Sequence, residues 1–491
     1  MFRIPSRALI ALLFLAVVAL PLSADDQESD HRFERQYAKD FSFRGGRVSI
    51  DHSFGSLTVR TGSGSVVQVR ATIRSSNDEI GKQIQIVAAE NAGGVSIRTD
   101  YPEIRNWRGS LSYSVDMTVT LPASAPVTAK NRFGNIDARG LQAASVIENR
   151  QGSIAVQDLR GAQSISNAFG SIEATDIHGE LTINNNNGSI SVRKADGPLT
   201  VSNRFGSVNV ADVDRATTIT NTNGSIEALD ISGTLKATSS FGSIKASTIR
   251  GSADVTNSNG RIDLSNITQS ATVRSSFGTV TATTIGGDFT TDSTNSKVEV
   301  DGIKGNARIE TSFGGILARN ITGAARLTSS NGNIRASDIG GALTAETRFG
   351  TVKADRIRAG ADVDSSNGSI TLGDIGGNVS VHATFGSVFL DGIAGAIDVS
   401  NANGAISVAH LRGSGCHPVT LRTTFSSIKV ALSPGASYNV NARTSFGRIH
   451  TDFPITTTNV SDETVAGTIG KGGCKLDLVN ANGSITIEKE E

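Results

Sequence analysis

The sequence is short of the residues that fill bulky mixed cores. In 491 residues there are 1 Trp, 2 Met, 4 Tyr, 9 Pro and 2 Cys. So few prolines leave backbone N–H groups free for ladder pairing over long stretches. Two cysteines exclude a disulfide-dense scaffold and fall short of a zinc set, which needs about four ligands; His417 beside Cys416 does not complete one. An excess of charge of one sign is also missing: 46 basic residues face 46 acidic ones. That removes the electrostatic footprint of a nucleic-acid or acidic-membrane partner. The H-E-x-x-H, nucleophile-elbow, P-loop and dinucleotide motifs do not occur. The seven histidines, His31, His52, His178, His382, His410, His417 and His450, are dispersed. No cofactor, metal or catalytic residue is indicated. What is abundant is Gly, 53 residues of it, among many Ser, Thr, Asn, Ile and Val. This is the bias of short strands joined by tight turns.

The N-terminus reads as a secretory signal over residues 1–24. Arg3 and Arg7 precede an apolar run at residues 8–20, then Pro21 and a small-residue cleavage site at Leu22-Ser23-Ala24. The run is short for a membrane span, and no cysteine lies beside it for a lipid anchor. The protein is therefore expected to be exported (periplasmic, cell-surface or extracellular), without a stable membrane span after cleavage. In that setting Cys416 and Cys474 read as one disulfide.

A repeat dominates the rest. From Gly134, steps of 18 residues land on glycine as far as Gly404, with Ser296 the single exception. Two residues after each corner glycine comes Ile or Val, as in Ile136, Ile154, Ile172, Val208 and Ile244. Four after comes Ala, Val or Leu, and seven after an apolar residue such as Leu159, Ile177, Ile231 or Ile303. Nine after, a second Gly is common; offsets eleven and thirteen are again apolar, and offset fifteen is Asn, Ser or Thr. Period two within each half predicts strands with one buried face. Two strands and two turns make a coil, and stacked coils turn equivalent positions into ladders. The predicted fold is all-β: a parallel β-helix or β-solenoid of 18-residue coils, each of two nine-residue halves.

Other architectures fit less well. A hexapeptide helix would bury offset eight, which holds Arg160, His178, Arg250, Lys304 and Arg358. A calcium-binding nonapeptide roll needs its Asp pattern in both halves. Here Asp158, Asp176, Asp230, Asp338 and Asp374 occupy offset six of one half only, and read as turn residues bonding backbone N–H groups. A propeller would place strands 18 apart in different environments. A hairpin meander would force phenylalanine to positive φ in the slot that also reads Asn-Gly.

That slot, just before the corner glycine, alternates. Phe133, Phe169, Phe205, Phe241, Phe277, Phe313, Phe349 and Phe385 recur every 36 residues. Between them stand Asn187, Asn223, Asn259, Asn295, Asn331, Asn367 and Asn403. The expectation is a corner where each ring packs over neighbouring coils and a compact Asn relieves crowding. The competing reading is an exposed aromatic ladder for glycans. Phe289 falls on an inward offset and Phe389 on an outward one.

The chain divides into a signal (1–24), a flexible charged segment (25–45), a strand-rich N-terminal cap (46–130), the array (131–412) and a C-terminal cap with the disulfide (413–491). Phe54-Gly55-Ser56-Leu57 is a first echo of the motif; Phe425-Ser426, four residues late, Phe446-Gly447 and Asn482-Gly483 are later ones. The stretch SVDMTVTLP, the G-x-I-x-A/V and G-x-L-x-V repeats and the closing NGSITIE resemble the bacterial "putative adhesin" β-strand-repeat family, over residues 47–488. The resemblance implies an exported β-solenoid and carries over no catalytic residue. The expected function is a non-enzymatic adhesion or scaffold protein of the bacterial cell envelope, contacting an unidentified protein or envelope polymer. A polysaccharide-active β-helix enzyme and an envelope-stress regulatory module are the alternatives. The enzyme would need clustered carboxylates on one face, whereas offset three mixes Glu173, Lys245, Asp263 and Arg335 with neutral residues.

Overall fold

A computed structural model describes residues 32–104, 109–412 and 416–490. The signal segment, His31 and Trp107 lie outside the described residues.

The fold is a β-solenoid of 18-residue coils. Each coil is two strands, as in Leu235–Phe241 and Ile244–Ile249. Each strand pairs in parallel with its equivalents 18 residues away: Ile244 lies beside Ile226 on one side and Ile262 on the other. The two strands of a coil belong to opposite faces of a flattened rod. The Ile, Val, Leu and Ala columns meet between them, and Phe289 is the largest of the fully buried side chains.

Three backbone devices let 18 residues close a coil. The first is the corner glycine. At Gly170, φ is +128°, and an added Cβ would lie 2.2 Å from the carbonyl oxygen of Gly152 in the coil below. Glycine is needed there for both conformation and approach. Ser296, inside the long strand Phe289–Ile303, is tolerated because it does not take the positive φ that Gly278 has one coil earlier (φ +128°). Its hydroxyl lies buried, 3.0 Å from that of Ser275.

The second device is a left-handed residue at offset six, with φ +56° at Asp176, +53° at Asp230 and +59° at Asp338. Simple alternation would turn offset six inward after offsets two and four. One left-handed residue re-phases the strand, so offset seven (Ile177, Ile231, Ile339) points into the core instead. Asp and Asn tolerate this conformation better than most residues. The offset-six carboxylates therefore serve the backbone conformation, not N–H capture as expected. Their side chains turn outward, where Asp176, Asp338 and Asp374 meet Lys194, Arg356 and Arg412. Capture of N–H groups falls to Asn135, Asn333 and Asn378, whose Oδ1 atoms accept from residues 18 further on.

The third device is the buried polar ladder at offset fifteen. Asn167, Asn185 and Asn221 each donate from Nδ2 to the carbonyl of the corner glycine 15 residues earlier, at 2.8, 3.1 and 2.9 Å. Ser329 and Thr347 make the same bond with shorter side chains. A buried carbonyl left unpaired would cost about 1–3 kcal/mol.

The ends depart from sequence order. At the N-terminus the strands Arg47–Asp51 and Leu57–Gly62 lie between Gly94–Asp100 and Tyr113–Pro122 on one side and Val127–Phe133 and Ile136–Arg139 on the other. At the C-terminus Cys474–Asn482 lies between Val419–Phe425 and Tyr438–Phe446. At each end a segment is thus intercalated between two coils. Antiparallel strands then cover the edges, and one of them is Phe33–Ser42, paired along its whole length with Val66–Ser75. The segment expected to be flexible (25–45) therefore contributes a cap strand at Phe33–Ser42, its residues 25–31 lying outside the described residues. Its mixture of charges reads as flexible, but only one of its faces has a partner. Cys416 and Cys474 form the expected disulfide, which ties the intercalated strand to the loop before Val419.

Candidate functional site

The feature that distinguishes this surface is the corner column of phenylalanines. The strand register places Phe169 beside Asn187, Asn187 beside Phe205, and so on to Phe385 beside Asn403. The column continues into the C-terminal cap, where Asn403 neighbours Phe425, Phe425 neighbours Asn482, and Asn482 neighbours Phe446. Phe446 precedes Asn482 in sequence, yet the intercalated strand puts the asparagine between the two rings. The Phe–Asn alternation is thus kept in space where sequence order breaks.

The rings are exposed. Phe241, Phe277 and Phe313 keep 53–55% of their surface in water, and Phe446 keeps 75%. The expected packing over neighbouring coils does not cover them. The residue before the corner glycine is the last of its strand, at the edge where the chain turns from one face toward the other, so neither sheet lies over it. The N-terminal end of the column differs. Phe54 and Phe133 stand on adjacent coils and stack, with centroids 5.0 Å apart and planes 6° apart. Tyr101 and Tyr113 pack edge-on against Phe54 at 5.0 and 5.1 Å. The Tyr101 hydroxyl donates to the Phe54 carbonyl at 3.1 Å, and burial pushes it up to about 12. The ladder is closed by an aromatic cluster at this end and open along the rod.

The charged groups elsewhere mostly neutralise one another. The left-handed edge, opposite the ladder, carries a groove of 840 Å³ lined by Asn320, Asp338, Arg356, Asp374 and Arg412 among others. Arg356 binds Asp338 through Nε and Nη2 at 2.7 and 2.8 Å and also meets Asp355. That bidentate contact holds the Asp338 carboxyl below its usual range and raises Arg356 further. Arg412 meets Asp374 through Nη2, at 2.5 Å. A second hollow, of 430 Å³, lies on the face bearing Leu317 and Phe389, with Gly373, Arg335 and Lys353 around it. Phe389 is exposed there, and Phe289 is buried, each as its offset predicts.

The histidines do not converge. His178 bonds Asp196 at 2.8 Å, His450 lies 3.2 Å from Asp452, and His410 meets Asp391. His52 is wholly buried in the N-terminal cap. Among the described residues no three His, Cys, Asp or Glu groups are placed to hold a metal, and no helix is long and apolar enough to cross a membrane.

No family model and no curated protein matches this sequence. Solved structures of bacterial proteins described as putative adhesins are similar to it in fold. A "putative cell adhesion protein" from Clostridium sporogenes aligns at 7% identity over 93% of this chain and 100% of its own, with a TM-score of 0.18. A "putative adhesin" from Bacteroides fragilis aligns at 12% identity over 56% and 97%, with a TM-score of 0.18. Another from Parabacteroides distasonis aligns at 10% identity over 73% and 96%, with a TM-score of 0.15. Scores this low carry no weight for function, which has to be read from the surface itself.

Proposed function

We propose that this protein is an exported, non-enzymatic β-solenoid that serves as an adhesion or scaffold protein at the bacterial cell envelope and binds its partner along the rod. The observation that carries the reading is the exposed corner column, a repeated surface element whose rings keep 39–57% of their surface in water along the array. Supporting it, the carboxylates of the 840 Å³ groove are held by arginines, so they are not free for acid–base chemistry. The Cys416–Cys474 disulfide fits an oxidising compartment, in keeping with the N-terminal signal read from the sequence.

The test is a pull-down of residues 25–491 from native envelope extract, with released oligosaccharide measured in the same tube. A specifically retained partner without product is the expected result. Turnover of an envelope or plant glycan would replace this reading with that of a polysaccharide-active enzyme. Retention of nothing above a solenoid of scrambled surface would remove the binding role altogether.

A further inference from the structure

We infer that the phenylalanine edge is a rail for a linear anionic polysaccharide; this deepens the binding role proposed above and names its surface and ligand class.

Spacing is the first argument. The rings stand on every second coil, about 9.6 Å apart at the usual strand separation, and keep that interval into the C-terminal cap. A regular row of separate rings suits a linear partner with a regular repeat. Extended pyranose chains are such partners: apolar C–H faces recur along them, edged by hydroxyl groups. Aromatic rings take up the C–H faces, and polar side chains between the rings take the hydroxyls.

The second argument is what surrounds the rings. The positions just before and after each Phe-Gly or Asn-Gly pair are Ser, Thr, Asn, Arg, Lys, Ala or Gly from Arg132 through Arg448. A docking surface for a folded protein would carry further apolar neighbours at its centre, and this edge carries polar ones.

Charge supplies the third. Although the chain is balanced overall, no Asp or Glu occurs in those flanking positions or in the column itself. Arg261 and Lys297 are neutralised from the adjoining face by Asp263 and Glu299. Arg132, Arg150, Arg204 and Arg348 are exposed and have no carboxylate partner among the described residues, and the Arg204 guanidinium lies 5.4 Å from the Phe205 ring centroid. The edge therefore carries unpaired cations at Arg132, Arg150, Arg204 and Arg348 and no carboxylate in its column or flanks, which favours a polymer bearing carboxylates or phosphates. A second copy of the same edge would set these arginines against like charge, which disfavours pairing of two ladders.

The experiment uses the full mature chain, residues 25–491. Binding to polygalacturonate is measured by affinity electrophoresis and calorimetry, with neutral hydroxyethyl cellulose as the comparison polymer. The variants are F241A/F277A/F313A, R204E/R348E and, off the ladder, F389A. All are exposed positions, and a wild-type circular dichroism spectrum and melting curve are required of each. Polygalacturonate should bind the wild-type chain and F389A alike, and each ladder variant should lose at least tenfold in affinity. The arginine variant should also lose much of the salt dependence.

Binding that is absent in the wild type, equal for the neutral polymer, or unchanged in both ladder variants overturns the assignment. So does a wild-type dimer that dissociates in F241A/F277A/F313A, because the ladder would then be a self-interface. Repeating the envelope pull-down with the ladder variants separates the two claims. A partner retained equally by wild type and variants removes the rail and leaves the binding role standing. A pull-down empty even for wild type removes the binding role.

Discussion

His52 shows what one buried polar side chain does in this fold. It is fully covered at the N-terminal corner, with Nδ1 3.3 Å from the Thr99 hydroxyl. Burial pushes its pKa down from 6.5 to about 4, against the opposing pull of the Val115 carbonyl and Asp116. The folded state thus binds fewer protons than the unfolded chain between those values. The stability concerned is fully present above pH 6.5 and is lost as pH falls toward 4, by about 3 kcal/mol in all. Urea unfolding between pH 7.5 and 4 should show this loss. His52→Leu should flatten the part of the slope between pH 6.5 and 4, and an unchanged slope would show that His52 does not titrate this way. At the same scale, the left-handed slot accepts even β-branched Thr248 and Thr284, at φ +57° and +58°. Their cost is borne because every coil needs that turn to return offset seven to the core. The exposed ring of Phe241 and the half-buried ring of Phe54 show the same residue type put to two uses, separated by whether Tyr101 and Tyr113 are there to pack against it.

At the scale of the coil, the apolar columns drive stacking and the polar ladder sets its register. Asn221 is buried and bonds the Gly206 carbonyl. Asn221→Asp keeps the shape, replaces the donor by an ionised acceptor facing a carbonyl, and buries a charge. The expected cost is about 2 kcal/mol or more at pH 7. Part of it should return near pH 4, where the protonated carboxyl can donate again. Thermal melts of the variant at the two pH values, each against wild type, check this; equal losses at both would mean that the donor is not what matters. The coil was largely legible in the sequence: the 18-residue period, the inward offsets and the two faces follow from local alternation, which depends only on neighbouring residues. The use of offset six was not. An Asp that captures an N–H group and an Asp that tolerates positive φ look alike in a sequence, and only the inward turn of Ile231 or Ile339 separates them.

Taken whole, the molecule is a rod whose caps extend the columns of the array, so that it is roughly 90 Å long at the usual strand spacing. Repeat rods fray at their ends. Here the segment nearest the C-terminus is not the last coil: peeling it away requires Cys474–Asn482 to leave from between two neighbours while the disulfide holds its start. The bond spans 58 residues, and the chain-entropy account gives about 4 kcal/mol for closing a loop of that size. Cys416→Ser with Cys474→Ser should lower the first thermal transition and speed amide exchange over residues 419–489, leaving residues 150–400 unchanged. Uniform acceleration along the rod would mean that the caps and the array unfold as one unit.

The sequence by itself determined the coil. A strict period with Gly, Ile/Val and Asn columns admits one economical closure, and Phe289 and Phe389 took the sides their offsets assign. It also determined that Phe and Asn alternate and that two cysteines pair. Tertiary structure alone decided the spatial order of the end coils. NGSITIE reads the same whether its coil is last or next to last, because every coil presents the same edges, and the choice rests on how the connecting segments pass. Tertiary structure decided the exposure of the phenylalanines as well. Each phenylalanine ends its strand two residues after the buried offset fifteen, so inside–outside alternation would turn it inward; the corner turns it out instead, and no element among the described residues covers the rings from Phe169 to Phe446.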